Sequence, residues 1–175
     1  MDAQALGFVL GNSPRHRTQF RRSRECLQTV SHKLALSLIE TWENLKPRGG
    51  MVMGRHFPSR AFATLLPHIL LLEPVEGARD FRFRVAGFGM LRFYGIDLKG
   101  RSLSEFFAGE DHEARYARLR EILQSGAPHI GVERIHRGPE LLTTREVVSL
   151  PVLASDGCTP LILRASFWSN LRWLN

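Results

Sequence analysis

Arg84 stands in a patterned stretch, Phe81-Arg82-Phe83-Arg84-Val85-Ala86-Gly87, where a strand arginine can bind an anionic ligand. The same side chain can instead pair with Asp97 or Glu146, or sit against another chain. Six aromatics, Phe83, Phe88, Phe93, Tyr94, Phe106 and Phe107, are placed to line a cavity between a sheet and helices. Ligand pockets are mainly apolar with few polar groups. The same six residues can also close into a filled core.

Other candidate chemistry is incomplete. Gly87-Phe88-Gly89 follows a strand, but a dinucleotide loop needs a third glycine three residues on, where Arg92 stands. A tight strand-to-helix turn accounts for these glycines. The chain has seven histidines, none in a His-x-x-x-His pair or beside a Cys-x-x-Cys set. No Gly-x-Ser-x-Gly elbow occurs, and no carboxylate pair stands out from surface acids. The expectation is a colourless, non-enzymatic protein with no catalytic residues, no metal site and no cofactor.

The formal charge is +7, and it is uneven: residues 1–48 hold eight Lys/Arg against four acids, residues 49–175 sixteen against thirteen. The excess sits in Arg15, Arg17, Arg21, Arg22 and Arg24. Such an arm can neutralise phosphates of a nucleic acid or another anionic surface. It can also be a solvated tail. Only Phe20 interleaves these arginines and no recognition motif follows, so nucleic-acid binding is the runner-up reading. Cys26 and Cys158, far apart in sequence, read as reduced thiols of a cytoplasmic protein. No run approaches the roughly 20 apolar residues of a membrane span. The first residues lack the layout of a signal peptide.

The elements that must position these groups follow from periodicity. Residues 1–26 read as a basic flexible extension. Leu27, Val30, Leu34, Leu38, Trp42 and Leu45 fall at helical spacing, predicting a leading helix over 27–46 stopped by Pro47 and Gly49-Gly50. A shorter helix is expected from Pro58 to Leu66, and a buried strand over 69–72. Alternation predicts the strand 81–86, with Phe81, Phe83 and Val85 on one side and Arg82 and Arg84 on the other. Helical turns follow at 88–94 and after Ser102. A longer helix is expected at 110–124, ended by Gly126. Three strands close the chain, at 128–135, from about 141 to 150, and 160–168, the last two joined by a Ser155-Asp156-Gly157 turn.

This order resembles a PAS domain, and most closely the fifth PAS-like family, mostly single-domain bacterial proteins. The resemblance rests on Trp42 in the leading helix, on Pro58 and Leu66-Pro67, and on Arg84-Val85-Ala86-Gly87. It continues in Gly95-Ile96-Asp97-Leu98-Lys99-Gly100, Leu150-Pro151-Val152 and Asp156-Gly157. It covers roughly residues 35–170. Before Pro58 the run Met51 to Phe57 departs from the family's Pro-x-Arg and acidic residue.

The resemblance implies an α+β fold: a five-stranded antiparallel sheet with helices inserted between strands 2 and 3, plus the leading helix. The domain is then 27–175. It implies a sensory or regulatory module acting through protein contact or small-ligand binding, without choosing a cofactor. His112 lies near where haem-binding PAS domains carry their ligand, but within the charged start Glu110-Asp111-His112-Glu113 of a helix. Cys158 follows a hairpin glycine, unlike the flavin-reactive cysteine of light sensors. PAS-like proteins often dimerise through a leading helix. The expected partners are therefore a second copy, through Leu34, Leu38 and Trp42, and an unidentified signalling protein.

Overall fold

The structure is a computed structural model and describes residues 6–8, 20–28, 30–75, 79–137 and 139–168. Its strands are β1 (Leu6–Phe8), β2 (Phe20–Cys26), β3 (Ile69–Val75), β4 (Asp80–Ala86), β5 (His129–Arg137), β6 (Glu140–Leu153) and β7 (Pro160–Trp168). Its α-helices are α1 (Lys33–Leu45), α2 (Phe88–Tyr94), α3 (Leu103–Phe106) and α4 (Gly109–Ser125). The strands form one antiparallel sheet in the order β1-β2-β5-β6-β7-β3-β4, and α2 to α4 lie in the connection from β4 to β5.

The expected α+β architecture is present, with seven strands in place of five. The five expected strands are β3 to β7. The other two come from the segment read as a flexible extension, and over residues 20–26 that reading is corrected. Phe20–Cys26 pairs with β5 in register from Phe20 opposite Arg137 to Cys26 opposite Gly131. The physical reason is the edge of β5, whose backbone donors and acceptors need partners. An arginine-rich arm with no apolar stripe can still supply main-chain hydrogen bonds.

The same pairing shortens the leading helix. The Leu27 amide donates to the Ile130 carbonyl at 3.0 Å, so the chain is still extended there. Helix α1 starts only at Lys33, where His32 Nδ1 accepts from the Leu34 amide at 3.2 Å. One turn earlier, Glu146 of β6 accepts from the backbone amides of Ser31 and His32 and from the Ser31 hydroxyl. Burial alone would raise the Glu146 carboxyl, but the Ser31 and His32 donors hold it below its ordinary range. The expected helix from Pro58 is a 3-10 helix over Arg60–His68, with Pro67 inside it.

Strand alternation divides the sheet into two buried faces. On β7, Leu161, Leu163, Ala165 and Phe167 belong to one core, together with Leu71 of β3 and Val148 and Leu150 of β6. Leu38 and Trp42 of α1 complete it. On the other face, Ile162 of β7 joins Leu70, Leu72, Phe81 and Phe83, covered by Met90 and Phe93 of α2 and by Leu119 and Ile122 of α4.

The family-like motifs are scaffold, and they meet one another. Trp42 Nε1 donates to the Pro151 carbonyl at 2.7 Å, joining the leading helix to the Leu-Pro-Val segment of β6. A Cβ on Gly87 would lie 2.2 Å from the Leu66 carbonyl oxygen, so the Leu-Pro turn and the strand-end glycine fit only together. Asp97 Oδ1 accepts from the Lys99 amide, shaping the turn whose Gly100 amide donates to the Phe83 carbonyl. Ser102 and Glu105 form a capping box at α3. Asp156, held at about 2 by bonds from Thr159 and Cys158, closes the last hairpin.

Candidate functional site

The sheet face under α4 carries charges set among buried apolar and small polar side chains. Arg145 on β6 is fully buried, and Glu133 beside it on β5 is 2 % exposed. Arg145 Nε donates to Glu133 Oε2 at 2.8 Å, while Arg164 Nη2 of β7 donates to Glu133 Oε1 at 2.8 Å. One carboxylate thus holds two guanidiniums. The Arg145 guanidinium lies 4.3 Å from the Phe93 ring centroid and 5.0 Å from that of Trp168, and it reaches the Tyr94 hydroxyl. Burial would lower the Arg145 group, yet Glu133 and Tyr94 raise it, so it stays charged.

Next to this network is a cavity of about 70 Å³, partly open to solvent, between the sheet and α4. Leu70, Leu72, Phe83 and Val147 form its sheet side, and Leu119 and Ile122 its helix side. Leu119 and Ile122 stand three residues apart, as does the rim pair Arg115 and Arg118, each four residues, about one helical turn, earlier. Arg115 pairs with Asp111 and lies 3.8 Å from the Phe107 ring centroid. Arg118 Nη1 lies 2.5 Å from His129 Nε2, which must accept and is therefore neutral. Burial, then the Arg118 and Arg164 charges, push the His129 imidazole down to about 4. The exposed Cys26 thiol is 3.7 Å from the same nitrogen.

The residues expected in a pocket divide three ways. Phe83, Tyr94 and Phe107 line the cavity. Phe93 and Phe106 pack in the core beside it. Phe88 is 67 % exposed and does not line the cavity, and neither does Arg84, whose guanidinium lies 3.1 Å from Glu73 on β3. Asp97 and Glu146, the partners expected for Arg84, serve a turn and the start of α1 instead.

The residues expected between two chains are used within one. Leu38 and Trp42 are buried on the sheet, and Leu34 packs partly buried against the same cluster. In this conformation the α1 stripe is not available to a second copy, which corrects that assignment. The cause is the number of apolar residues that β3, β6 and β7 present on that face. Of the arm arginines, Arg15 and Arg17 lie outside the described residues. Arg21, Arg22 and Arg24 stand on β2 opposite His136, Ile135 and Glu133.

His112 faces Asp80, with Nε2 3.4 Å from Oδ1, and stacks on Tyr116. Asp80 also accepts from the Ser104 hydroxyl at 2.6 Å, so this start of α4 is tied to β4 and α3. Among the described residues no three His, Cys, Asp or Glu side chains are grouped to hold a metal ion. No helix of these residues is long and apolar enough to cross a membrane.

Sequence reasoning missed Glu133, Arg145, Arg164, Arg118 and His129. A signal existed for Arg164, which shares its strand phase with Ile162 and Trp168 on a strand apolar on both sides.

A family model described as a PAS domain matches residues 30–165. Among curated proteins nothing matches the chain. The matched span holds α1, β3 to β6 and most of β7, together with α2 to α4 and all of the cavity lining except Glu25, and leaves β1 and β2 outside.

Proposed function

Because the chain belongs to the PAS domain family, a family of sensory and regulatory modules, we propose a specific form of that role. The protein is a non-catalytic sensor whose signal is a small molecule taken into the cavity between the sheet and α4. Its output is protein–protein contact, with a second copy of the chain as the first partner to test.

The observation that carries this reading is the cavity itself: an apolar wall with a charged rim, between the sheet and α4. A ligand there would touch α4, β5 and β7 at once. Any shift of α4 would reach β4 through Asp80, which accepts from Ser104 and faces His112. Two observations support the non-catalytic part. The cavity lining described contains no serine, threonine or cysteine, and the charged groups of Glu133, Arg145 and Arg164 are committed to one another. For the output, Phe88 and Leu91 of α2 and Leu66 of the adjoining 3-10 helix are exposed large apolar side chains.

Native mass spectrometry of freshly purified protein, followed by backbone NMR with any retained compound, tests the reading. The expected result is a bound small molecule whose removal moves amides of α4, β5 and β7. Shifts confined to other elements would overturn the site. Sedimentation at tens of micromolar, with and without the compound, tests the output. A monomer under both conditions removes the second copy as partner.

A further inference from the structure

The rim of the cavity narrows the chemistry of what it can hold. Four guanidiniums, those of Arg115, Arg118, Arg145 and Arg164, surround it or lie directly behind it. Two carboxylates answer them, Asp111 on Arg115 and Glu133 between Arg145 and Arg164. Glu25, also at the rim, is engaged with Arg134 at 2.9 Å, and that pair cancels. The local excess is therefore positive.

Its accessible part is Arg118, an exposed residue of α4. Among the described residues no carboxylate lies within ion-pair distance of Arg118, which instead meets a neutral ring nitrogen of His129. A guanidinium has five N–H donors in a planar fork suited to a carboxylate, and His129 takes one of them. Behind Arg118 the wall turns apolar at Leu119, Ile122 and Leu72. The space of about 70 Å³ sets the length of what fits. An apolar cavity of about 150 Å³ accepts benzene, so roughly half that volume suits a chain of two or three carbons.

We infer that the cavity binds a short-chain monocarboxylate, its tail against Leu72, Leu119 and Ile122 and its carboxylate on the Arg118 guanidinium. This assignment rests on reading the cavity as the ligand compartment. It adds a charge and a length to that reading. A longer or aromatic acid would have to extend out through the open side, and a neutral molecule leaves the Arg118 charge unused.

The test is an NMR titration of the full chain with three probes: propanoate, 1-propanol and inorganic phosphate. Wild type, Arg118→Gln and Leu119→Phe are compared. Arg118 is exposed, so its variant keeps the fold, and Leu119→Phe fills the cavity without touching the charge. Propanoate should shift amides of α4, β5 and β7 saturably, at least tenfold more tightly than either other probe. Arg118→Gln should weaken propanoate at least tenfold and leave 1-propanol unchanged, and Leu119→Phe should weaken both.

If 1-propanol binds as tightly as propanoate, or Arg118→Gln changes nothing, the carboxylate assignment falls and the compartment stands. If phosphate matches propanoate and Leu119→Phe has no effect, the site is a surface cation and the assignment falls. If propanoate moves no cavity amide, the assignment falls as well. Xenon, which needs only apolar space, then decides the compartment by itself: shifts at Leu72 and Ile122 keep it, and their absence removes it.

Discussion

The two faces of the sheet are built from the same strands and differ in kind. Towards α1 the strands present an apolar surface interrupted only at its margin by Glu146, which caps the approach to α1, and met by Leu38, Trp42 and the 3-10 helix residues Phe62 and Leu65. Towards α4 the alternate residues of those strands include Glu133, Arg145 and Arg164, and a cavity remains. A dry face is held by area and shape and tolerates few changes of volume. A face with buried ions is held by partners, and each ion is costly once its partner is gone. The α1 face is therefore held by close packing, while adjustable chemistry resides in the α4 face.

Four measurements would sharpen or break that contrast. Trp42→Ala removes the largest side chain of the dry face and its bond to Pro151, and should cost about 3–5 kcal/mol. For a chain of this size that is about 10 °C or more in melting temperature. A loss under 1 kcal/mol would show that α1 is not docked as described.

Glu133→Gln should cost a similar amount, about 3–5 kcal/mol, because Arg145 is left buried with its charge unanswered. The decisive comparison is the double variant Glu133→Leu with Arg145→Met. On the ionic face the pair of changes should cost less than Glu133→Gln alone, whereas two truncations on the α1 face at sites that share no neighbour should add. Urea denaturation of each variant measures both.

Next in size is the acid response. Glu146 and Asp80 both have folded values held below their ordinary 4.5 and 3.8. For Asp80, burial alone would raise the group, and the Ser104, Phe81 and His112 donors overcome it. A depressed carboxylate contributes stability above its unfolded value and loses it as pH falls through the folded one. Stability should therefore fall below about pH 4.5, and Glu146→Gln should flatten that fall. The same change should cost about 1.5–3 kcal/mol at neutral pH, the worth of hydrogen bonds to a charged group.

His129 runs over a different window. Its folded value is about 4 and its ordinary value 6.5. As pH falls from 6.5 to 4 the unfolded chain takes up a proton that the folded chain refuses, so stability declines there and levels off below. Arg118→Gln should move the His129 titration, followed by NMR, upward from about 4. Burial, the larger cause, should keep it below 6.5. An unmoved titration would separate His129 from the rim charge. Smallest of all, Phe88→Ser should change stability by no more than about 0.5 kcal/mol, since that ring is mostly in water.

What was legible in the sequence was local. The alternation of Phe81 to Phe83, the stops at Pro47 and Gly126, and the Ser102 cap each depend on neighbours a few residues away. Their elements stand close to where the periodicity placed them. Val85, expected on the same side as Phe81 and Phe83, is instead exposed, because a register shift opposite Leu71 and Leu72 breaks the alternation there. The charged network depends on residues that only strand register brings together, with Glu133 opposite Arg145 and Ser149 opposite Arg164. No spacing along the chain announces that. Arg84 illustrates the error that results. It is the arginine beside the aromatics in sequence, but it lies out of phase with Phe83 and so belongs to the other side of β4. The arm was misjudged for a related reason: composition reports on side chains, and β2 is held through its backbone.

The fit of Gly87 against Leu66 and Pro67 has a consequence for descent. A methyl group at 87 has no room while the Leu-Pro turn stays where it is. The two segments are twenty residues apart, yet neither can drift alone without a loss that selection would see. Lineages that replace this glycine should also have remodelled the turn, and those that keep the turn should keep the glycine. The pair is then a hereditary unit, transmitted together whatever molecule the cavity comes to accept.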